Sequence, residues 1–183
     1  MIRRKISLAE FAAQAAKTLP KGVLLTARAG DKVNSMVIGW GTVGVNWGRP
    51  VFAAYVRTGR FTRELLDENP EFTVNLPLSA PDPNVIAICG GKSGRDLDKL
   101  AACGLHPEAG ETVSVPAIWE FPVTAECRIL YRQLQQPELL PPELAERYYP
   151  SERGSSFSGS NRDPHVTYFG EILNAYILEP DLA

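Results

Sequence analysis

Residues 34–62 read N-S-M-V-I-G-W-G-T-V-G-V-N-W-G-R-P-V-F-A-A-Y-V-R-T-G-R-F-T, and they restrict the fold more than any other stretch of the chain. Gly48 and Pro50 stop any helix begun near Gly44 within two turns, because glycine costs backbone entropy and proline offers no N–H to a helix interior. Two short strands remain, over residues 36–40 and 51–57. The G-x-G-x-x-G spelled by residues 39–44 therefore lacks the strand-turn-helix setting in which that pattern cradles a dinucleotide pyrophosphate. Glu64, at the right distance to be its acidic partner, falls in a different helix.

The rest of the chain is punctuated in the same way. Ser7 followed by Glu10 forms a capping box, and Leu8, Phe11, Ala12, Ala15, Ala16 and Leu19 share one helical face, which predicts a helix over residues 8–18 that stops before Pro20. Strands are expected over residues 22–29, 72–76 and 166–178, the first entering a hairpin around Gly30-Asp31-Lys32. Thr62 is expected to open a helix through Leu65, Leu66 and Asn69, Pro81 to start another helical turn, and Asp96 to cap one carrying Leu97, Leu100 and Ala101. Phe121, Val123, Ala125, Cys127, Ile129 and Tyr131 alternate along one half-buried strand.

Residues 135–164 change character, rich first in proline and then in serine and glycine. They are expected to hold a short helix over residues 142–148, followed by a mobile cover over residues 148–161 that shapes access for a second substrate. Short strands, scattered short helices and no regular β-α alternation indicate an antiparallel barrel rather than a doubly wound parallel sheet.

At 183 residues with 44% hydrophobic, the chain suits one domain over residues 1–183. Its 19 basic and 21 acidic residues give no global field for nucleic acid or an anionic membrane, so any anion site must be local. Cys89, Cys103 and Cys127 are odd in number and lack a C-x-x-C pair, which reads as free thiols in a cytoplasmic protein. No apolar leader or membrane-length run is present in the sequence. His106 and His165 are far apart and suggest no metal cluster, and Gly91-Lys92-Ser93 lacks the first glycine of a phosphate loop, since position 86 is Ile86.

What remains is a local arrangement. Gly39 and Gly41, with Trp40 and Thr42, suit close backbone approach to a flat ring, while Arg57, Arg60 and Thr62 converge on one helix start and suit an anion. Plainer readings stand beside these: a glycine bulge, core or interface aromatics at Trp40 and Trp47, a solvated face with an ordinary N-cap. Arg95, Asp96 and Lys99 read equally as a capped helix with a surface ion pair. Three donors at one helix start favour the anion.

Five blocks in order extend this reading: N-x-M-x-I-G-W-G-T-x-G at residues 34–44, V-R-x-x-R-F-T-x-E-L-L at 56–66, S-G-R-D-L-D-K at 93–99, A-E-C-R at 125–128 and H-V-T-Y-F-G-E-I at 165–172. Together they resemble the flavin-reductase-like FMN-binding split β-barrel family. The resemblance implies a mainly β fold, a six-stranded antiparallel Greek-key split barrel with short peripheral helices, paired as a homodimer. It also implies bound FMN, NADH or NADPH as electron donor and a further electron acceptor.

Carried over by residue, Asn34, Met36, Gly39, Trp40, Gly41 and Thr42 would edge the isoalloxazine ring, and Arg57, Arg60 and Thr62 would hold the phosphate. Lys92 and Ser93 would reach the same pocket, and His165 and Tyr168 would position the second substrate. The flavin carries the chemistry, so no catalytic side chain or metal is implied. Val37, where threonine is common, and Thr58-Gly59, where Pro-Ser is common, depart from the pattern. A non-catalytic flavin-binding or electron-transfer module reduced by a partner enzyme is the alternative; haem or a deazaflavin is a third possible occupant of such a barrel.

Overall fold

A computed structural model describes residues 1–181. Its elements run β1 (Ile2–Lys5), α1 (Leu8–Thr18), β2 (Val23–Ala29), β3 (Lys32–Ile38), β4 (Gly41–Asn46), β5 (Arg49–Arg57), α2 (Phe61–Glu68), β6 (Glu71–Leu76), α3 (Pro83–Gly91), α4 (Lys99–Cys103), β7 (Pro107–Glu108), β8 (Ala117–Ile118), β9 (Val123–Leu134), α5 (Pro142–Tyr148) and β10 (His165–Glu179). The main sheet is ordered β3-β2-β6-β9-β10-β5-β4, with β1 added along β10, and its ladders are all antiparallel. Its end strands, β3 and β4, are consecutive in sequence and joined through Gly39 and Trp40.

The antiparallel barrel class expected from the sequence is the one found, with eight strands in its main sheet rather than six. The two extra strands lie where the sequence signal is weakest. Strand β1 is a charged edge strand whose Arg4 and Lys5 pair with Glu179 and Glu111 at 2.7 Å. Strand β4 carries Gly41 and Gly44, which weaken strand propensity. Its turn into β5 places both Trp47 (φ 52) and Gly48 (φ 69) at positive φ, the geometry of a tight hairpin turn, without the usual Asn-Gly signal.

Helix α1 matches its predicted span, with the Ser7 hydroxyl accepting from the Glu10 N–H and the Glu10 carboxylate accepting from the Ser7 N–H. It packs on β4, β6 and β9 and sends Phe11 into the barrel, edge-on to Phe52 at 6.3 Å. Strand β2 is buried on both faces. Leu25 and Ala27 face the barrel core, while Leu24 joins a second cluster with Val85, Cys89, Leu100, Ile118 and Phe121 beneath α3 and α4.

Three helix starts differ from expectation. Helix α2 begins at Phe61 with Arg60 in the cap position, because the Thr62 hydroxyl accepts from the Asn34 side chain instead of from the helix backbone. Helix α3 begins at Pro83 with Asp82 as its cap, rather than near Pro81. Helix α4 is capped by Asp98, whose carboxylate accepts from the Ala101 N–H at 3.1 Å, rather than by Asp96. The alternation expected along β9 is also lost: Val123 through Cys127 are all buried, the outward Glu126 carboxylate accepting from the N–H groups of Glu111 and Thr112 and from the Tyr176 hydroxyl.

Gly170 sits at a bulge between β10 and β9, where an added Cβ would lie 2.5 Å from the Phe72 ring and 3.0 Å from the Cys127 Cβ. Gly170→Ala is expected to destabilise the protein by about 1–3 kcal/mol through overpacking. Thermal unfolding should show this as a loss of several degrees, and an unchanged midpoint would mean that Phe72 can rotate clear.

Candidate functional site

The antiparallel register of β10 on β5 sets His165 opposite Arg57, so the end of β5, the start of β10 and the β3–β4 junction meet at one place. Three adjoining cavities open there. The first, about 630 Å³, is bordered by Asn34, Arg60, Thr62, Lys92, Ser93 and Lys99. The second, about 190 Å³, shares Met36, Val37, Arg60 and Ser158 with the first and reaches Trp40, Arg57 and His165. The third, about 540 Å³, shares Gly39, Trp40 and Tyr55 with the second and extends to Gly41 and Thr42.

The first cavity is cationic. Lys99 is 3% exposed, donates to the Cys89 carbonyl at 3.2 Å and forms no ion pair among the described residues. Burial, with the nearby Arg60 charge adding to it, pushes its ammonium down to about 8. Arg60 is likewise shifted down by burial and donates to the Ser158 carbonyl. Arg95 pairs with Glu64 at 2.5 Å while lying over the Phe61 ring. Asn34 donates to the Thr62 hydroxyl at 2.8 Å, which leaves that hydroxyl its own proton to give. The early N–H groups of α2 have no acceptor within the helix, which adds to the positive field.

Arg57 is occupied differently. Its guanidinium donates to the carbonyls of Tyr148 (2.9 Å), Asn161 (3.1 Å) and Asp163 (2.6 Å) and lies over the Tyr149 ring at 5.1 Å. The segment expected to be a mobile cover is thus tied to the barrel. Asn161 is fully buried, donating to the Phe157 carbonyl and accepting from the Asp163 N–H.

His165 packs against Trp40 with ring centroids 4.8 Å apart, and its Nδ1 is 2.8 Å from the Tyr149 hydroxyl. That hydroxyl donates its one proton to Gln135, so Nδ1 carries the imidazole proton and Nε2 is an acceptor. Burial, reinforced by Arg57 and Arg60, lowers the imidazole to about 3, and His165 is neutral at physiological pH.

The structure brings Asn34, Met36, Gly39, Trp40, Arg57, Arg60, Thr62, Lys92, Ser93 and His165 around the first two cavities. Gly41 and Thr42 instead face the third. The missing side chain of Gly41 is explained by packing, since a Cβ would lie 2.6 Å from the Phe52 ring. Tyr168 stands apart from all three: it is fully buried, with its hydroxyl on Asp67 at 3.3 Å, because its position along β10 points it into the barrel. Two residues gain importance. Lys99 belongs to the cavity rather than to a surface ion pair, and Gly94 passes directly over Asn34, where a Cβ would lie 2.1 Å from the amide oxygen. Both lie in the S-G-R-D-L-D-K block, which was the available signal.

Comparison with known proteins follows this geometry. Residues 17–181 match the family model described as a flavin reductase like domain. No curated protein matches the chain. Among solved structures, flavoredoxin from Methanosarcina acetivorans is 26% identical, with a TM-score of 0.62 over 88% of this chain and 70% of that one. Flavoredoxin of Desulfovibrio vulgaris is 22% identical, with a TM-score of 0.63 over 86% of this chain and 69% of that one. A Streptomyces globisporus NADH:FAD oxidoreductase in complex with NAD and FAD fragments is 16% identical, with a TM-score of 0.57 over 86% and 74% of the two chains.

Arg57→Lys keeps the charge but loses the planar fork that spans three carbonyls. Hydrogen exchange of residues 149–163 is expected to quicken by at least about tenfold, with β2, β6 and β9 unchanged. Parental protection across that segment would mean that Arg57 is not what orders it.

Proposed function

The chain belongs to the flavin reductase-like domain family, and from that premise we propose that it binds FMN with the phosphate in the cationic cavity and the ring along Met36 to Trp40, acting as an NAD(P)H-dependent oxidoreductase. The observation that carries this reading is the pair Arg60 and Lys99, two desolvated cations in no ion pair among the described residues, with only the more distant Asp163 carboxylate acting on Arg60, beside the Thr62 hydroxyl. Burying unpaired cations is costly, and a phosphate dianion offsets that cost in place. Lys92 and Ser93 border the same cavity within one chain.

When bound, a flavin supplies hydride chemistry at its ring, and the protein contributes binding, orientation and electrostatics. Here Arg60, Lys99 and Thr62 hold the anion, Asn34 fixes the Thr62 hydroxyl, and His165 and Tyr149 buttress Trp40 beside the ring. The neutral imidazole of His165 presents an acceptor and does not serve as an acid near pH 7. A second reading, a flavin module reduced by another protein, is favoured by the commitment of Arg57 to carbonyls, which removes it as a partner for a nicotinamide pyrophosphate. Anaerobic mixing of the FMN-loaded protein with NADH or NADPH separates the two, since rapid bleaching of the flavin supports the first reading and none supports the second.

We further place the protein in the cytoplasm as a homodimer of a single domain. Among the described residues no helix is long and apolar enough to cross a membrane. Trp47, 57% exposed, meets Tyr131 and Phe169 at 6.1 and 5.9 Å, an outward aromatic cluster that suits a two-fold contact. Light scattering should give a dimer that Trp47→Asp weakens, whereas a monomeric parent would reject the pairing.

Arg60→Ala and Lys99→Met should each weaken FMN by about 1.5–3 kcal/mol, the worth of a charge-assisted hydrogen bond. Because the Lys99 ammonium titrates near 8 before ligand binds, FMN affinity should be full below that pH and fall as pH rises through it. Lys99→Met should abolish this alkaline fall. A pH profile identical in parent and variant would remove Lys99 from the anion site.

A further inference from the structure

Lys99 differs from every other lysine of the chain. It is 3% exposed, whereas Lys5, Lys17, Lys21, Lys32 and Lys92 all lie exposed. Its Nζ makes one hydrogen bond, to the Cys89 carbonyl near the end of α3 at 3.2 Å, and it borders the cationic cavity of about 630 Å³. The groups that act on its charge are Cys89, Arg60 and Cys103, none of them a carboxylate. Burial pushes the Cys89 thiol up to about 12, so it stays neutral and lends no counter-charge. The other charged side chains along the cavity are Arg60, Lys92, Arg95 and Asp96, with Arg95 already paired to Glu64.

A buried amine of this kind is a nucleophile as well as a cation. With the ammonium brought down to about 8, about a tenth of Lys99 is free base at pH 7, against fewer than about one in a thousand for an ordinary lysine. The free amine keeps an N–H for the Cys89 carbonyl and carries a lone pair besides. Desolvated lysines use that lone pair to form Schiff bases with carbonyl compounds. The same cavity holds phosphate donors in Arg60, the Thr62 hydroxyl and Ser93. A ligand with a phosphate at one end and an electrophilic carbon at the other engages both features.

We propose that the cationic cavity takes a phosphorylated aldehyde, its phosphate held by Arg60 and Thr62 and its aldehyde carbon joined to Lys99 as a Schiff base. Nζ attacks the carbonyl carbon, and the C–N bond forms as the C=O π pair moves to oxygen. The resulting carbinolamine loses that oxygen with both amine protons as water, which leaves R–CH=N–Lys99 with no electrons gained or lost. The site rests on the anion pole described under Proposed function but not on the flavin. As an ammonium Lys99 adds to the hold on FMN, and as a free base it makes the cavity reactive, so aldehyde and flavin exclude one another.

The full chain, with and without FMN, is treated with pyridoxal phosphate, reduced with borohydride and mapped by peptide mass spectrometry. One lysine adduct per chain is expected, at Lys99, forming at least about tenfold faster than with pyridoxal, which lacks the phosphate. Lys99→Met, confirmed as folded by circular dichroism, should lose the adduct, and Lys92→Met should keep it. At low reagent the rate should rise with pH through about 8, as free base replaces ammonium, opposite to the trend in FMN affinity. Labelling spread over the exposed lysines, or an equal rate with pyridoxal, would overturn the proposal in the parent alone, and so would an undiminished adduct yield in Lys99→Met. FMN and inorganic phosphate should both slow the reaction. Slowing by phosphate but not by FMN would reject the flavin placement and leave this site standing.

Discussion

The Arg57 guanidinium stands at the end of β5 and donates to the carbonyls of Tyr148, Asn161 and Asp163. Residues 149–163 bury little apolar surface, too little to offset the conformational entropy of ordering them. Charge-assisted bonds, about 1.5–3 kcal/mol each, are what hold such a segment in one conformation. The strand register makes this possible: with His165 opposite Arg57, the chain returning from the loop re-enters the sheet beside the side chain that clamps it. Ser158 and Gly159 then border the second cavity, and Tyr148 and Tyr149 border the third, so both sides of Trp40 are shaped by the same clamp.

Arg57 and Arg60 show how two residues of one type, three positions apart, take different roles from their surroundings. Arg57 belongs to a strand and points among backbone carbonyls, where its charge is solvated by protein. Arg60 precedes α2, accepts only a partial substitute for water in the Ser158 carbonyl, and shares its cavity with the buried Lys99. Burial lowers the affinity of both guanidinium groups for their protons, yet Arg60 borders the larger cavity with Lys99, while Arg57 borders only the smaller one and has its donors on carbonyls. The electrostatic asymmetry is therefore set by geometry rather than by residue type.

Much of this was legible in the sequence. Gly48 and Pro50 excluded a helix after residues 39–44, and the capping box at Ser7 and Glu10 fixed α1 to the residue. What escaped the sequence depends on contacts between distant segments. Thr62 carries the signature of an N-cap, but Asn34, twenty-eight residues earlier, claims its hydroxyl. Tyr168 and His165 share a strand and one short motif; three positions apart on a regular stretch, they face opposite sides of the sheet, and the elements packed on it decide that the tyrosine's side is the core and the histidine's the cavity. Lys99 looks like a surface lysine in any local reading, and only the packing of α3 against α4 buries it beside the cationic cavity.

Trp40 marks the division that gives the site its logic. On one side stand desolvated cations and hydroxyl donors, on the other aliphatic and aromatic walls with neutral donors. A ligand that is anionic at one end and flat at the other would fit with its anion among those cations and its ring toward Trp40, where the second cavity opens from the first. His165 and Tyr149 hold that tryptophan from behind through ring packing and a hydrogen-bond chain to Gln135, and burial keeps the imidazole neutral, so the support does not change charge across the physiological range. A charged imidazole in that place would repel Arg57 and Arg60 and loosen the clamp on the covering segment. The low proton affinity of His165 is thus part of what lets two buried arginines sit beside it, one binding the protein to itself and the other bordering the cationic cavity.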